Sequence, residues 1–307
     1  MQNYQIKNHQ LSDCINENNR LSEENCHLCI FDFENFSEVY HNYGVTDHVI
    51  EEYKISNGTK FESHDGFDFI ILNLPDAIAL DEKPRKIGIF FKSNLLLFFS
   101  ENPRYIIKIA QMTSQEEIKV SSPGKFLQIF FDKLTYDDRE VLIAIEEEIS
   151  GLEEEFIISI KNNLVDYLVS FRKKMLILKQ YYEQLLEISE SIEENDNKLM
   201  AQEEIKYFKI LTNRINRLFT NVLNLRDYGT QVREAYQAQL DINLNNVMKL
   251  FTVITSVFLP LTLIVGWFGM NLMMPEFKWS YGYPFVIVLC ILVASLTLFY
   301  FKKKKWF

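Results

Sequence analysis

Glycine and proline are scarce in this chain of 307 residues, 10 and 7 respectively, and they are unevenly placed. Between Lys125 and Pro260 the only two are Gly151 and Gly229. That shortage excludes a turn-rich architecture there and leaves long helices as the natural reading. Basic residues are also short: 32 Lys and Arg face 42 Asp and Glu, a net charge of −10. No dense basic patch exists to neutralise phosphates, which argues against nucleic acid as a partner. Cysteine is limited to positions 14, 26, 29 and 290. Cys26-His27-Leu28-Cys29 spells C-x-x-C, but no second pair follows at zinc-ribbon spacing. These residues open an apolar strand, "CHLCIFDF", so reduced strand cysteines are expected. Five histidines and four cysteines form no base–nucleophile spacing, and no glycine-rich phosphate loop occurs, so no enzyme is expected.

The most informative absence is of charge. Leu250 to Pro275, between Lys249 and Glu276, holds no ionisable Asp, Glu, Lys or Arg, and neither does Trp279 to Phe301, between Lys278 and Lys302. At ~1.5 Å per residue, each run exceeds the ~30 Å hydrocarbon thickness as a helix. Buried core helices rarely go so long without a charged solvent face. Two spans with a short loop make a hairpin with both termini on one side. Lys302-Lys303-Lys304-Lys305 directly after the second span puts that side in the cytoplasm. Trp279, Tyr281, Tyr283 and Trp306 suit the two interfacial aromatic belts. Met1 to Asn19 is polar, so no cleavable signal is expected, and residues 1 to about 245 read as cytoplasmic.

Aromatics are plentiful, with 25 Phe. From Cys26 to about Gly124 the pattern mixes strand and helix. Strands are expected at 27–33, 60–64 and 67–74, and a hairpin at 86–99 turning at Lys92-Ser93-Asn94. Short helices fit 34–43, 46–54 and 103–113. The order is not a clean strand–helix alternation, so a simple doubly wound sheet is not implied. Thr135 to Ile160, with Asp137-Asp138 near its start, reads as an acidic amphipathic helix, and Leu164 to Glu194 as a second. Asn195-Asp196-Asn197 is the turn. A third helix begins near Ala201 and shows no stop before Phe268. Continuous, it would reach ~100 Å and need neighbours along its length, most economically copies of itself. Glu146-Glu147-Glu148 and Glu153-Glu154-Glu155 read as a solvated helix face.

The first span carries a stripe. At 100° per residue, Asn245, Met248, Thr252, Thr255, Leu259, Thr262 and Gly266 share one sector about 100° wide. Leu250, Val253, Ile254, Val257, Leu261, Ile264 and Phe268 lie opposite. A seam of small and hydroxyl residues packs against another helix or lines a narrow lumen. Two spans cannot enclose a pore, so a lumen needs several subunits around an axis. Pro260 lacks an amide hydrogen and should loosen the helix in mid-membrane.

At the outer end of the stripe stands Gly269-Met270-Asn271. Magnesium is small and dehydrates reluctantly, and a carboxylate ring would grip it too hard to release it. A ring of amide oxygens from Asn271 instead accepts hydrogen bonds from the waters the ion keeps. Gly269 permits a tight helix end.

The stretch "NNVMKLFTVITSVFLPLTLIVGWFGMNLMMPEFKWSYGYP", with the second span and "YFKKKKWF", resembles the C-terminal half of the CorA family of magnesium channels. The resemblance rests on Gly269-Met270-Asn271, Met274-Pro275-Glu276 of the loop, Tyr281-Gly282-Tyr283-Pro284 and the basic tail. It implies an α+β membrane protein, a homopentamer in which an N-terminal αβα soluble domain feeds a funnel of long stalk helices. Each stalk helix would continue into the first of two C-terminal transmembrane helices. The implied layout is an αβα domain over 1–130, stalk over 131–245, a pore-lining span over 246–270, an extracytoplasmic loop over 271–282, an outer span over 283–301 and a tail over 302–307. By resemblance Asn245, Met248, Phe251, Leu259 and Thr262 line the pore below an Asn271 filter. Four of these already lie on the stripe, and Phe251 sits at its edge, where many members carry a smaller aliphatic residue. Many members also have Met where Leu259 stands. Members often close when intracellular magnesium binds acidic stalk residues after an aromatic-Phe-basic triplet. Here Tyr207-Phe208-Lys209 runs on as Ile210-Leu211-Thr212-Asn213, without that carboxylate.

The expected function is a channel in the cell membrane for hydrated Mg2+, with Co2+ or Ni2+ as further cargo. The partners are the lipid bilayer, divalent cations and copies of the chain; no resident cofactor is expected beyond magnesium as cargo and candidate regulator. Two alternatives remain. One is zinc transport on the same architecture, whose carriers generally alter the middle residue of the tripeptide. The other is a membrane-anchored scaffold or sensor whose stripe only oligomerises.

Overall fold

The computed structural model describes residues 2–7, 10–13, 25–56, 58–75, 83–158, 164–270, 279–304 and 306. The chain divides into two compact units, Met1–Thr230 and Gln231–Phe307.

The first unit is built on one seven-stranded sheet. Its strands are β1 (Gln2–Lys7), β2 (Gln10–Asp13), β3 (Cys26–Asp32), β4 (Lys60–His64), β5 (Phe67–Leu74), β6 (Arg85–Lys92) and β7 (Leu95–Ser100). Their spatial order is β2-β1-β3-β7-β6-β5-β4. β3 and β7 pair in parallel, Cys29 opposite Leu97, and every other neighbour is antiparallel. The centre of the sheet is apolar on both faces: all of "LLLFFS" in β7 is buried. Such a continuous run requires cover on both sides.

That cover comes from helices. α1 (Phe33–Val39), a short 3-10 turn at Tyr40–Tyr43 and α2 (Asp47–Ile55) follow β3. Phe36, Tyr43, Val49, Ile50 and Tyr53 from these elements pack against Cys29, Phe31, Phe69, Ile71, Phe90 and Phe99. On the other face α3 (Arg104–Gln115), α4 (Pro123–Leu134), α6 (Leu164–Glu194) and the start of α7 (Gln202–Phe268) bury Leu28, Ile30, Ile70, Leu72, Ile89, Leu96 and Phe98. Alternation along each strand divides the residues between the two cores. The αβα layering follows from that division. Cys26 and Cys29, three apart, fall on opposite faces of β3.

Most expected elements stand within a residue or two of their places, with three differences. β1 and β2 precede the first expected strand. They are short and rich in Gln and Asn, and only Tyr4, Ile6 and Leu11 supply the core-facing pattern. α4 is a helix of its own, started by Ser122, whose Oγ accepts from the Lys125 amide at 3.0 Å, with Pro123 in its first turn. α5 (Asp138–Ile158) begins three residues later than the periodicity suggests. Thr135 turns its hydroxyl back to the Phe131 carbonyl and ends α4 there.

The turn at 195–197 is a built joint. Asn195 adopts φ 50° and holds the Met200 amide and carbonyl through its side chain. The Asn197 amide nitrogen reaches the His64 carbonyl at 2.6 Å and Asp68 Oδ1 at 2.8 Å, anchoring this turn to the β4–β5 hairpin.

In the second unit α7 runs on to Phe268, and α8 spans Gly282–Lys303. α7 is unbroken through Pro260, although that proline leaves the Ser256 carbonyl without its usual intrahelical donor.

Candidate functional site

Among the described residues two helices are long and apolar enough to cross a membrane, α7 and α8, and only 6% of the most apolar eighteen-residue window of each is buried within the chain. A core helix of a water-soluble domain would be mostly covered. Exposed Phe258, Leu263, Val265 and Trp267 on α7, and Val288, Ile291, Leu292, Leu296 and Phe299 on α8, need lipid or other protein around them.

The two sides of the outer part of α7 differ. Asn245, Met248, Thr252, Thr255, Leu259, Thr262 and Gly266 are all exposed within the single chain, as is Phe251 at the stripe's edge. Met248 and Leu259 keep 62% and 64% of their surface open. On the opposite side Val253 is buried and Val257, Leu261, Ile264 and Phe268 are partly covered, whereas Leu250 and Ile254 are exposed. The helix thus covers one face within the unit and leaves the striped face open.

The hydroxyls of that face have a definite orientation. Thr252, Thr255 and Thr262 each donate to the carbonyl four residues back, those of Met248, Phe251 and Phe258, at 2.8 Å. The proton is therefore held against the helix, and the oxygen lone pairs remain on the open side. A column of such oxygens is an acceptor surface. It carries no formal charge and favours a cation's hydrating water.

The helix closes through Gly269. Its amide donates to the Val265 carbonyl at 2.9 Å, and a Cβ placed on it would stand 2.9 Å from that same oxygen. Only glycine fits so close a backbone approach without adjustment. Gly266, by contrast, has open space where a side chain would project. Met270 is exposed. Asn271 and the loop residue Glu276 lie outside the described residues.

α8 carries aromatic residues around its start and basic residues at its end. Trp279, Tyr281 and Tyr283 are exposed around its start. Lys302 and Lys303 fill its last turn, where cations complement the helix dipole, and Trp306 packs on Phe301 with ring centroids 5.2 Å apart.

Elsewhere, Glu146, Glu147 and Glu148 are exposed along α5, and Glu153 accepts from the Tyr228 hydroxyl. Among the described residues no group of three His, Cys, Asp or Glu side chains is placed to hold a metal ion. On the stalk, Ile210 is exposed, while Phe208 and Leu211 are buried in the sheet domain's core. Sequence periodicity found the stripe but not the direction of its hydroxyls, which depends on side-chain rotamers.

Residues 27–303 match the family model described as CorA-like Mg2+ transporter protein. The cobalt/magnesium transport protein CorA of Thermotoga maritima is 26% identical over 271 residues, covering 86% of this chain and 77% of that one. The complete structure of the CorA magnesium transporter from Methanocaldococcus jannaschii superposes over all of this chain and 98% of its own, with TM-score 0.85 at 16% identity. The cytoplasmic domain of ZntB from Vibrio parahaemolyticus shares the fold of 78% of this chain, with TM-score 0.64 at 14% identity and 98% of its own length covered.

Proposed function

The chain belongs to the CorA family, described as Mg2+ transporter proteins, and from that premise we propose that it forms a homopentameric channel passing hydrated Mg2+ down its electrochemical gradient. Co2+, named for the Thermotoga relative, is a further cargo, as is Ni2+. Five copies of the α7 stripe line the conduit, α8 forms the surrounding ring, and both termini lie on the cytoplasmic side of the cell membrane. Gly269, Met270 and Asn271 form the mouth, with five Asn271 carboxamides accepting hydrogen bonds from the ion's own waters.

The observation that carries this reading is the open, uncharged face of α7 with its threonine protons tied to the backbone. Selection by neutral oxygens suits an ion that must be recognised without being stripped or trapped. Below the mouth, the threonine oxygens continue the same acceptor chemistry. Met248, Phe251 and Leu259 add apolar collars that close by excluding water. Transport needs no nucleotide hydrolysis. A divalent ion gains ~4.6 kcal/mol from a 100 mV potential, at ~2.3 kcal/mol per elementary charge.

The test is Mg2+ uptake into proteoliposomes with the native chain and with Asn271→Ala. Native uptake with most of it lost in the variant, at unchanged oligomer size, is the expected result. Equal flux in the two would remove Asn271 from the filter. No flux in either would favour the scaffold reading. Zinc transport is supported here only by a shared fold at 14% identity. Met270 in the tripeptide favours magnesium, and Zn2+ competition in the same assay separates the two.

A further inference from the structure

Among the described residues, two carboxylates of the first unit, Asp138 and Glu193, have a buried oxygen without a hydrogen-bond partner, and of the two it is Asp138 that lines a cavity. Asp138, the first residue of α5, keeps only 9% of its surface open. One of its oxygens accepts from the Tyr182 hydroxyl of α6. The other, Oδ2, is buried with no hydrogen-bond partner among the described residues. Buried polar atoms in folded proteins are nearly always satisfied, so an orphan carboxylate oxygen calls for a ligand.

The surroundings say which. Asp138 lines a cavity of about 330 Å³ where the ends of β5 and β6 meet α3, α4, α5 and α6. Its titratable neighbours there among the described residues are Asp137 on its own element, Arg85 on β6, Tyr105 on α3, Lys133 on α4, and Tyr181 and Tyr182 on α6. The two cations are engaged elsewhere. The Arg85 guanidinium lies over the Tyr105 ring at 5.3 Å, and Lys133 Nζ lies 3.7 Å from Glu116 Oε2 and over the Tyr136 ring. Neither hydrogen-bonds Asp138 Oδ2. All three phenols are held protonated above their ordinary range, by burial first. Among the described residues a metal ion would find only two carboxylates there, one of them on an exposed residue, Asp137. A proton, by contrast, needs a single oxygen, and Asp138 itself lines the cavity.

We propose that the Asp138 cavity is a proton-binding site of the sheet domain, filled as its surroundings acidify. Burial, with Asp137 adding negative charge, pushes the Asp138 carboxyl up to about 6, against the lowering effect of the Tyr182 hydrogen bond. The site therefore loads across the range in which cellular compartments differ in pH. Loading removes the like-charge contact between Asp137 and Asp138 at the start of α5. There the Glu140 and Val141 amides donate to the Asp137 carbonyl. The proton form should hold this first turn more firmly on α6.

Infrared difference spectroscopy on the full-length chain in bilayers, with 13C-labelled aspartate, tests this without any transport assay. A protonated aspartic carboxyl should appear on lowering pH through about 6 and be missing from Asp138→Asn. Tyr182→Phe, which removes the donor favouring the ionised form, should move the same band to higher pH. Hydrogen exchange of residues 138–142, corrected for intrinsic rate, should slow at low pH in the native chain alone. No aspartic band between pH 5 and 7, or one that persists in Asp138→Asn or does not move in Tyr182→Phe, would overturn the site. Because the readout is a titration, it stands or falls apart from the channel reading.

Discussion

Gly88 lies opposite Phe99 on the β6–β7 ladder, and the ring fills the space where a side chain would stand. A Cβ there would come within 2.2 Å of the Phe99 ring. Phe99 is not free to retreat, since it stacks on Phe36 at 4.7 Å and meets Tyr53 at 4.8 Å. Overpacking of this kind costs about 1–3 kcal/mol. Gly88→Ala should lower the thermal midpoint of the detergent-solubilised chain by several degrees; an unchanged midpoint would show that Phe99 repacks. Asp138 makes a prediction of the opposite kind, in which the native residue is the liability. Its folded carboxyl titrates near 6, above the ~3.9 of an unfolded aspartate, so the folded state holds the proton more tightly. The stabilisation is present at low pH and is lost as pH rises from about 4 through about 6, with an upper bound of ~3 kcal/mol. Relative to Asp138→Asn, the native chain should therefore gain stability as pH falls from 7 to 5. A constant difference between the two melting curves would contradict the sign.

At the scale of elements, legibility followed burial pattern. β5, "FDFIILNL", and the β6–β7 hairpin were readable because long β-branched and aromatic runs bounded by turn residues admit little else. α6 was readable end to end, from Leu164 to Glu194, because apolar residues recur at helical spacing up to an Asn-Asp-Asn stop. β1 escaped because six residues with two core-facing side chains carry almost no periodic signal, and its strand character comes from pairing with β3. The stripe on α7 was visible as a period, whereas its hydroxyl orientation was not, because a threonine in a helix can choose between rotamers. That orientation supports a prediction about the helix as a whole. Replacing Thr252, Thr255 and Thr262 together by Val keeps shape and β-branching but deletes three acceptor oxygens. At about 1 kcal/mol for a lost hydrogen bond at the limiting position, Mg2+ flux should fall on the order of fivefold to tenfold, with oligomer size unchanged. Flux equal to that of the native chain would mean that the column only packs helices.

For the molecule as a whole the question is what covers α7. Only 6% of its most apolar window is buried by its own chain, and its open surface carries the threonine column together with large apolar groups. Lipid would wet Phe258, Leu263 and Trp267 readily but gains nothing from a column of hydroxyl oxygens. The arrangement makes sense if copies of the chain turn that column toward a shared axis. Gly266 and Leu261 discriminate between the possibilities. Gly266 lies on the stripe with open space around it, while Leu261 lies about 150° away and is partly covered. In a background with the native cysteines replaced, Gly266→Cys should be joined between chains by a short thiol-reactive cross-linker in native membranes. Leu261→Cys should stay monomeric on a denaturing gel. Cross-linking at 261 and not at 266 would place the stripe outward and leave the chain without a lumen. Selective capture at 266 would put the threonine oxygens around the path an ion must take.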